Sequence, residues 1–239
     1  RSRTLSWKSC RSRLNYCMCA IFGAPDKSMV EVLYTANQDR GTFASSFVQL
    51  TYDDQFIMKK EGEIDWDSVE GSKQANYNCG HVQAPTSAMR DWAYETSHPF
   101  DTMSFMVFHN GVLTNDKDIR RKHLPFLENP VDSSLIVNLI QKFMEEDRTK
   151  GTNPVAYIRK ALEECQGSFA VSIVDCDTNE LYIARVGSIL HYNDKGCYST
   201  MPGKNYKELK EGEIRRLNKK TLRFNKVGEF KHESPFLFL

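Results

Sequence analysis

No apolar run in these 239 residues approaches the ~18 needed to cross a bilayer, so no membrane segment is expected. There is no CxxC pair either. The seven cysteines fall at positions 10, 17, 19, 79, 165, 176 and 197, a spacing that suits neither a zinc site nor a redox motif, and no metal or other cofactor is expected. An apolar signal segment is also lacking, which points to reducing cytoplasm, where a nucleophilic thiol stays available. Internal repeats and low-complexity linkers are missing, and the 40% hydrophobic content is that of one ordinary globular domain. Charge of either sign is not in excess, with 32 basic and 31 acidic residues for a net +1. Residues 1–18 hold five of the basic residues and none of the acidic ones, so the remainder carries a net charge of −4. That acidic balance argues against a nucleic-acid-coating surface. Residues 1–18 are read as an upstream remnant or cleaved pro-segment outside the fold, residues 19–230 as the domain, and residues 231–239 as an apolar tail.

What is present begins at Met18-Cys19-Ala20-Ile21-Phe22-Gly23. Taken alone, Cys19 reads as a small buried hydrophobe at the start of a strand. A cysteine directly after a methionine can also become a mature N-terminus, joining a thiol nucleophile to an α-amine of pKa near ~8, a base that needs no histidine partner. Strand-like runs follow at 47–52 and at 103–108, the second ending on His109-Asn110-Gly111, which reads as a turn. Leu135, Ile136, Leu139, Ile140 and Phe143 have helical spacing after Asp132, a candidate N-cap, and a second amphipathic helix runs from Pro154 to Cys165. Residues 168–175 and 181–184 read as a hairpin. Residues 204–220 read as a solvated charged face, with a turn at 209–214 into a last strand. Strands, then helices, then strands again favour α+β over a doubly wound sheet.

Taken in order, several segments resemble the class II glutamine amidotransferases, in which an N-terminal cysteine is the nucleophile, especially their sugar-synthase glutaminase domains. The opening Cys19-Ala20-Ile21-Phe22-Gly23 is similar to that family's first strand, and Asp39-Arg40-Gly41 to its arginine-glycine loop. Gly80-His81-Val82-Gln83-Ala84-Pro85-Thr86, Ser97-His98-Pro99, His109-Asn110-Gly111 and Asp132 follow in the family's order. Gly167-Ser168-Phe169-Ala170 with Ala184-Arg185-Val186-Gly187-Ser188 is similar to its closing hairpin. The resemblance implies an N-terminal-nucleophile (Ntn) hydrolase fold, a four-layer αββα sandwich of two antiparallel sheets.

The implied activity is hydrolysis of the γ-amide of L-glutamine through a Cys19 thioester, feeding ammonia to a separate synthase partner. Amide hydrolysis develops an oxyanion that fixed donors must meet, at ~3–4 kcal/mol per donor, and the resemblance gives this role to the Asn110 amide and the Gly111 N–H. It gives Asp132 the substrate ammonium. Arg40 stands behind the pocket, His81 forms its wall and Thr86 binds the carboxylate. Gln83 departs from the pattern, because the family has an arginine there for that carboxylate, and a neutral amide offers no bidentate charge match. Two other readings stay open: a cysteine amidase of the same fold acting on another linear amide, and a catalytically silent regulatory subunit. His98 is read as structural, and Arg185 as a strand-end residue paired with carboxylates.

Overall fold

A computed structural model describes residues 19–51, 54–69, 75–84, 91–147 and 153–233. The expectations placed on residues 1–18, on Thr86 and on residues 234–239 lie outside these described residues.

The chain enters β1 (Ala20–Ala24) and then α1 (Lys27–Asn37), where Val30, Tyr34 and Asn37 recur at helical spacing and are buried. A single 3₁₀ turn at 38–40 carries Arg40. Three long strands follow, β2 (Ala44–Leu50), β3 (Gln55–Glu61) and β4 (Tyr77–Gln83). Next come β5 (Phe100–Asp101), β6 (Phe105–Leu113), α2 (Asp116–His123), α3 (Ser133–Glu146) and α4 (Pro154–Glu164). Pro154 opens α4, where its missing N–H costs nothing. The hairpin β7 (Gly167–Asp175) and β8 (Glu180–Val186) leads to three short strands, β9 (His191–Tyr192), β10 (Tyr198–Ser199) and β11 (Lys207–Glu208). A last hairpin, β12 (Glu213–Asn218) and β13 (Arg223–Glu229), closes the described chain.

Among the described residues these strands form two antiparallel sheets, ordered β11-β9-β10-β1-β4-β2-β3 and β13-β12-β8-β7-β6-β5. The three cores match the four layers. Ala20, Phe22, Phe47 and Val82 pack under α1 on the outside of the first sheet. Ile21, Val48, Cys79, Met106, Phe108, Ala170 and Val174 fill the space between the sheets. Val107, Phe169, Val171 and Ile173 pack against Leu135, Leu139, Ile158 and Leu162 of α3 and α4. Alternate residues of β1, β6 and β7 therefore face two different cores, which is why β1 and the first half of β6, Phe105 to Phe108, are apolar throughout. This is the expected Ntn-hydrolase α+β sandwich.

Several local expectations change. His109-Asn110-Gly111 is not a turn: β6 continues through it, pairing residue by residue with β7 as far as Leu113 opposite Gly167. Gly111 makes this possible at φ +145, a backbone angle closed to other residues. The helix expected from Asp132 begins at Ser133, and Asp132 makes no side-chain cap. The charged stretch at 204–220 is not all solvated face, because β12 buries Ile214 and Leu217 and pairs with both β8 and β13. Arg185 does pair with carboxylates, those of Glu208 at 2.6 Å and Glu211 at 3.5 Å. The five cysteines among the described residues are free thiols, and no helix there is long and apolar enough to cross a membrane.

Candidate active site

The site is built at the edge where β1 begins and β4 ends. Ile21 and Cys79 face the space between the sheets, so the two-residue period of a strand puts Cys19, His81 and Gln83 on that face too. The β1–β4 register ends at Ala20 opposite Val82, and one further step sets Cys19 opposite Gln83, about 5 Å away between Cα atoms. β1 is anchored beside this point by Thr200, whose hydroxyl accepts the Ile21 N–H at 3.0 Å. Gly41 fixes the other flank, since a Cβ there would lie 2.4 Å from the Gln83 carbonyl carbon.

The Cys19 residue keeps some exposure, but its thiol is shielded, and desolvation pushes its pKa up to about 11. The Ala84 backbone amide pulls the value down, Asp132 raises it further and Arg40 opposes Asp132. At pH 7 only about one such thiol in ten thousand is ionised, so a base must take the proton during the reaction. Arg40 donates from Nε to the Cys19 carbonyl at 3.2 Å and approaches the Met201 Sδ at 3.7 Å through Nη1. Burial lowers its pKa, while the Cys19 thiolate would raise it.

The opposite wall comes from β6. Asn110 lies two residues beyond Phe108 on the face between the sheets, is buried, and its side chain makes no hydrogen bond among the described residues. At Gly111 a Cβ would lie 2.0 Å from the Ser168 carbonyl oxygen, so only glycine fits. Asp132 closes the third side: its Oδ2 accepts the Leu113 N–H at 2.9 Å, and its charge reaches Cys19.

A histidine network ties these walls together. His81 Nε2 donates to the His109 carbonyl at 3.1 Å, joining the two sheets directly before Asn110. The His81 ring stacks on His98 at 3.8 Å, and Ser133 Oγ lies 3.1 Å from His98 Nε2 and 2.7 Å from His109 Nδ1. The Ser133 hydroxyl also donates to Asp132 Oδ1 at 3.5 Å, so its two lone pairs can accept from both rings. Desolvation drives His81 down to about 3 and lowers His109 as well. Burial thus favours the neutral form of both rings.

The structure thus gathers Cys19, Arg40, His81, Gln83, Asn110, Gly111 and Asp132 at one edge. Ser133, Thr200 and the Ala84 amide are parts of it that sequence reasoning did not find. Ser133 directly follows Asp132, where a serine is indistinguishable from a helix-start residue. Gln83 carries an unusual feature: its Oε1 is buried and has no hydrogen-bond partner among the described residues. Such an orphan acceptor costs ~1–3 kcal/mol. No cluster of potential metal ligands occurs among the described residues.

No family model matches the sequence. The chain is similar to glutamine–fructose-6-phosphate aminotransferase [isomerizing] from Halalkalibacterium halodurans, 24% identical over 151 residues, covering 61% of this chain and 24% of that protein. The protein of that name from Streptococcus pneumoniae serotype 4 is 27% identical over 150 residues, with the same coverage. The fold is also that of the glutamine phosphoribosylpyrophosphate (PRPP) amidotransferase from B. subtilis complexed with ADP and GMP. Its TM-score is 0.68 at 18% identity, covering 88% of this chain and 49% of that one. The chain is thus similar to class II glutamine amidotransferases in sequence and in fold. It spans about a quarter of the length of the curated relatives it matches. Within this fold, Cys19 lies at the start of the first strand and Gln83 at the end of the neighbouring one.

Proposed function

We propose that the chain releases ammonia from the γ-amide of glutamine through a thioester on Cys19, once Cys19 is an N-terminus. The observation that carries this reading is the place of Cys19 at the start of β1, with a shielded thiol that no histidine hydrogen-bonds among the described residues, so the α-amine of the same residue is the fitting acceptor. Moving a proton from a thiol at about 11 to an amine near ~8 costs ~4 kcal/mol, well inside the ~16 kcal/mol barrier of an enzyme turning over at ~10 per second.

In this mechanism Cys19 Sγ attacks the γ-carbon while its proton passes to the α-amine. The Asn110 amide and the Gly111 N–H receive the negative charge that develops on the substrate oxygen. Collapse breaks the C–N bond, and the protonated amine returns its proton to the departing nitrogen, which leaves as ammonia. Water, deprotonated by the same amine, cleaves the thioester to a γ-carboxylate and regenerates the thiol. Asp132 holds the substrate α-ammonium, and the Arg40 guanidinium steadies the Cys19 carbonyl and the thiolate. An ammonia-consuming synthase activity is the inferred partner of this domain, in keeping with relatives named as aminotransferases. The test is intact mass and N-terminal sequence of protein begun at Met18, before and after the glutamine-like electrophile diazo-oxo-norleucine. One adduct on an N-terminal Cys19, blocked by glutamine, is expected; an unremoved upstream peptide would favour a silent regulatory subunit.

A further inference from the structure

We infer that Gln83 reads the group attached to the substrate's α-carbon and that this group is a neutral amide. The substrate class is a peptide whose first residue is glutamine, with its α-amine free. This rests on the thioester reading above and narrows its substrate.

Three observations converge. Gln83 is one cross-strand step from Cys19 on the face that holds the nucleophile, so a glutamine side chain reaching Cys19 brings its α-carbon substituents past this residue. The Gln83 Oε1 is enclosed without a hydrogen-bond partner among the described residues, while the side chain as a whole is buried. The charges around it are already directed elsewhere. Asp132 suits the α-ammonium, and Arg40 turns Nε to the Cys19 carbonyl and Nη1 toward Met201.

The hydrogen-bond inventories then decide between substrates. A free α-carboxylate has acceptors only and leaves Oε1 unsatisfied, with oxygen facing oxygen. A peptide group carries one donor and one acceptor, the complement of a primary carboxamide, so its N–H meets Oε1 and its carbonyl meets the Gln83 amide hydrogens. A site with an unpaired buried acceptor favours the ligand that supplies the missing donor. The covalent chemistry is unchanged. The γ C–N bond breaks, ammonia leaves, water supplies the new γ-oxygen, and the peptide bond beyond the α-carbon stays intact.

The test compares L-glutamine with glutaminyl-glycine, using the chain begun at Met18, because residues 19–233 carry both sheets and all three cores. Ammonia and the mass of the product are read together against an enzyme-free blank, so that spontaneous cyclisation of the dipeptide is subtracted. The dipeptide is expected to exceed L-glutamine by about tenfold or more in kcat/KM, giving glutamyl-glycine. Gln83→Arg is expected to reverse the preference, and Gln83→Met, close in shape and without the amide, to abolish it. Ammonia from L-glutamine at an equal or better kcat/KM overturns the inference and leaves the thioester reading standing. A dipeptide preference that both variants retain overturns the role of Gln83. Failure of both substrates, with Cys19 a proven N-terminus, overturns the thioester reading and this inference with it.

Discussion

The two halves of β6 share one strand and one partner yet differ in chemistry. From Phe105 to Phe108 the strand is wholly apolar and feeds two cores, Met106 and Phe108 between the sheets and Phe105 and Val107 toward the helices. From His109 to Gly111 the same ladder with β7 continues, but the side chains are a buried neutral histidine, an amide without a hydrogen-bond partner among the described residues, and a glycine at φ +145. The first half is optimised for stability and the second departs from it. The proposed function gives these buried polar groups a ligand to meet, and the His81–His98–Ser133–His109 network keeps them in place.

Predictions follow that contrast from the largest effect to the smallest. Cys19→Ala removes the nucleophile facing the polar half and should lower ammonia release by ~10⁴-fold or more, with circular dichroism and melting unchanged. Phe108→Ala, in the apolar half, should cost ~3–5 kcal/mol in denaturant unfolding; a smaller loss would erase the distinction between the halves. Asn110→Ala should do the reverse. A fall of ~10²–10³ in kcat is expected, with less than about 1 kcal/mol of stability lost, and a large unfolding effect would make Asn110 a structural residue. The smallest effect, per pH unit, is in pH. His81 and His109 have pKa values lowered by burial, whereas an unfolded chain protonates its histidines near ~6.5. Below pH ~6.5 the unfolded state therefore takes up protons that the folded state refuses, and stability is lost as pH falls toward about 3. His81 adds ~1.4 kcal/mol per pH unit to that slope, and replacing it with Asn should remove that share.

Much of this contrast was legible beforehand. The place of Cys19 after Met18 marks it, the family resemblance points to Arg40, Asn110 and Asp132, and apolar spacing points to α3, α4 and the β7–β8 hairpin. The strand character of His109-Asn110-Gly111 was not, because Asn-Gly is also a strong hairpin-turn signal, and only the pairing of Gly111 with Phe169 keeps it extended. α2 was hidden by composition, burying a single apolar residue, Ile119, in a charged run. α1 was hidden because one of its buried positions is Asn37, whose amide bonds Ser199 across the fold. Thr200 carries no local signal at all, as it acts on Ile21 from 179 residues away. Gln83 was visible as a departure, but its enclosed oxygen is a property of the folded site.

The central claim is that the Cys19 α-amine is the base for its own thiol. Its most direct test is single-turnover ammonia release, with the acyl-enzyme followed by intact mass, from the same chain bearing a free or an acetylated Cys19 amine, offered glutamine and glutaminyl-glycine. The account predicts a thioester and ammonia only when the amine is free; equal rates from the acetylated protein would contradict it.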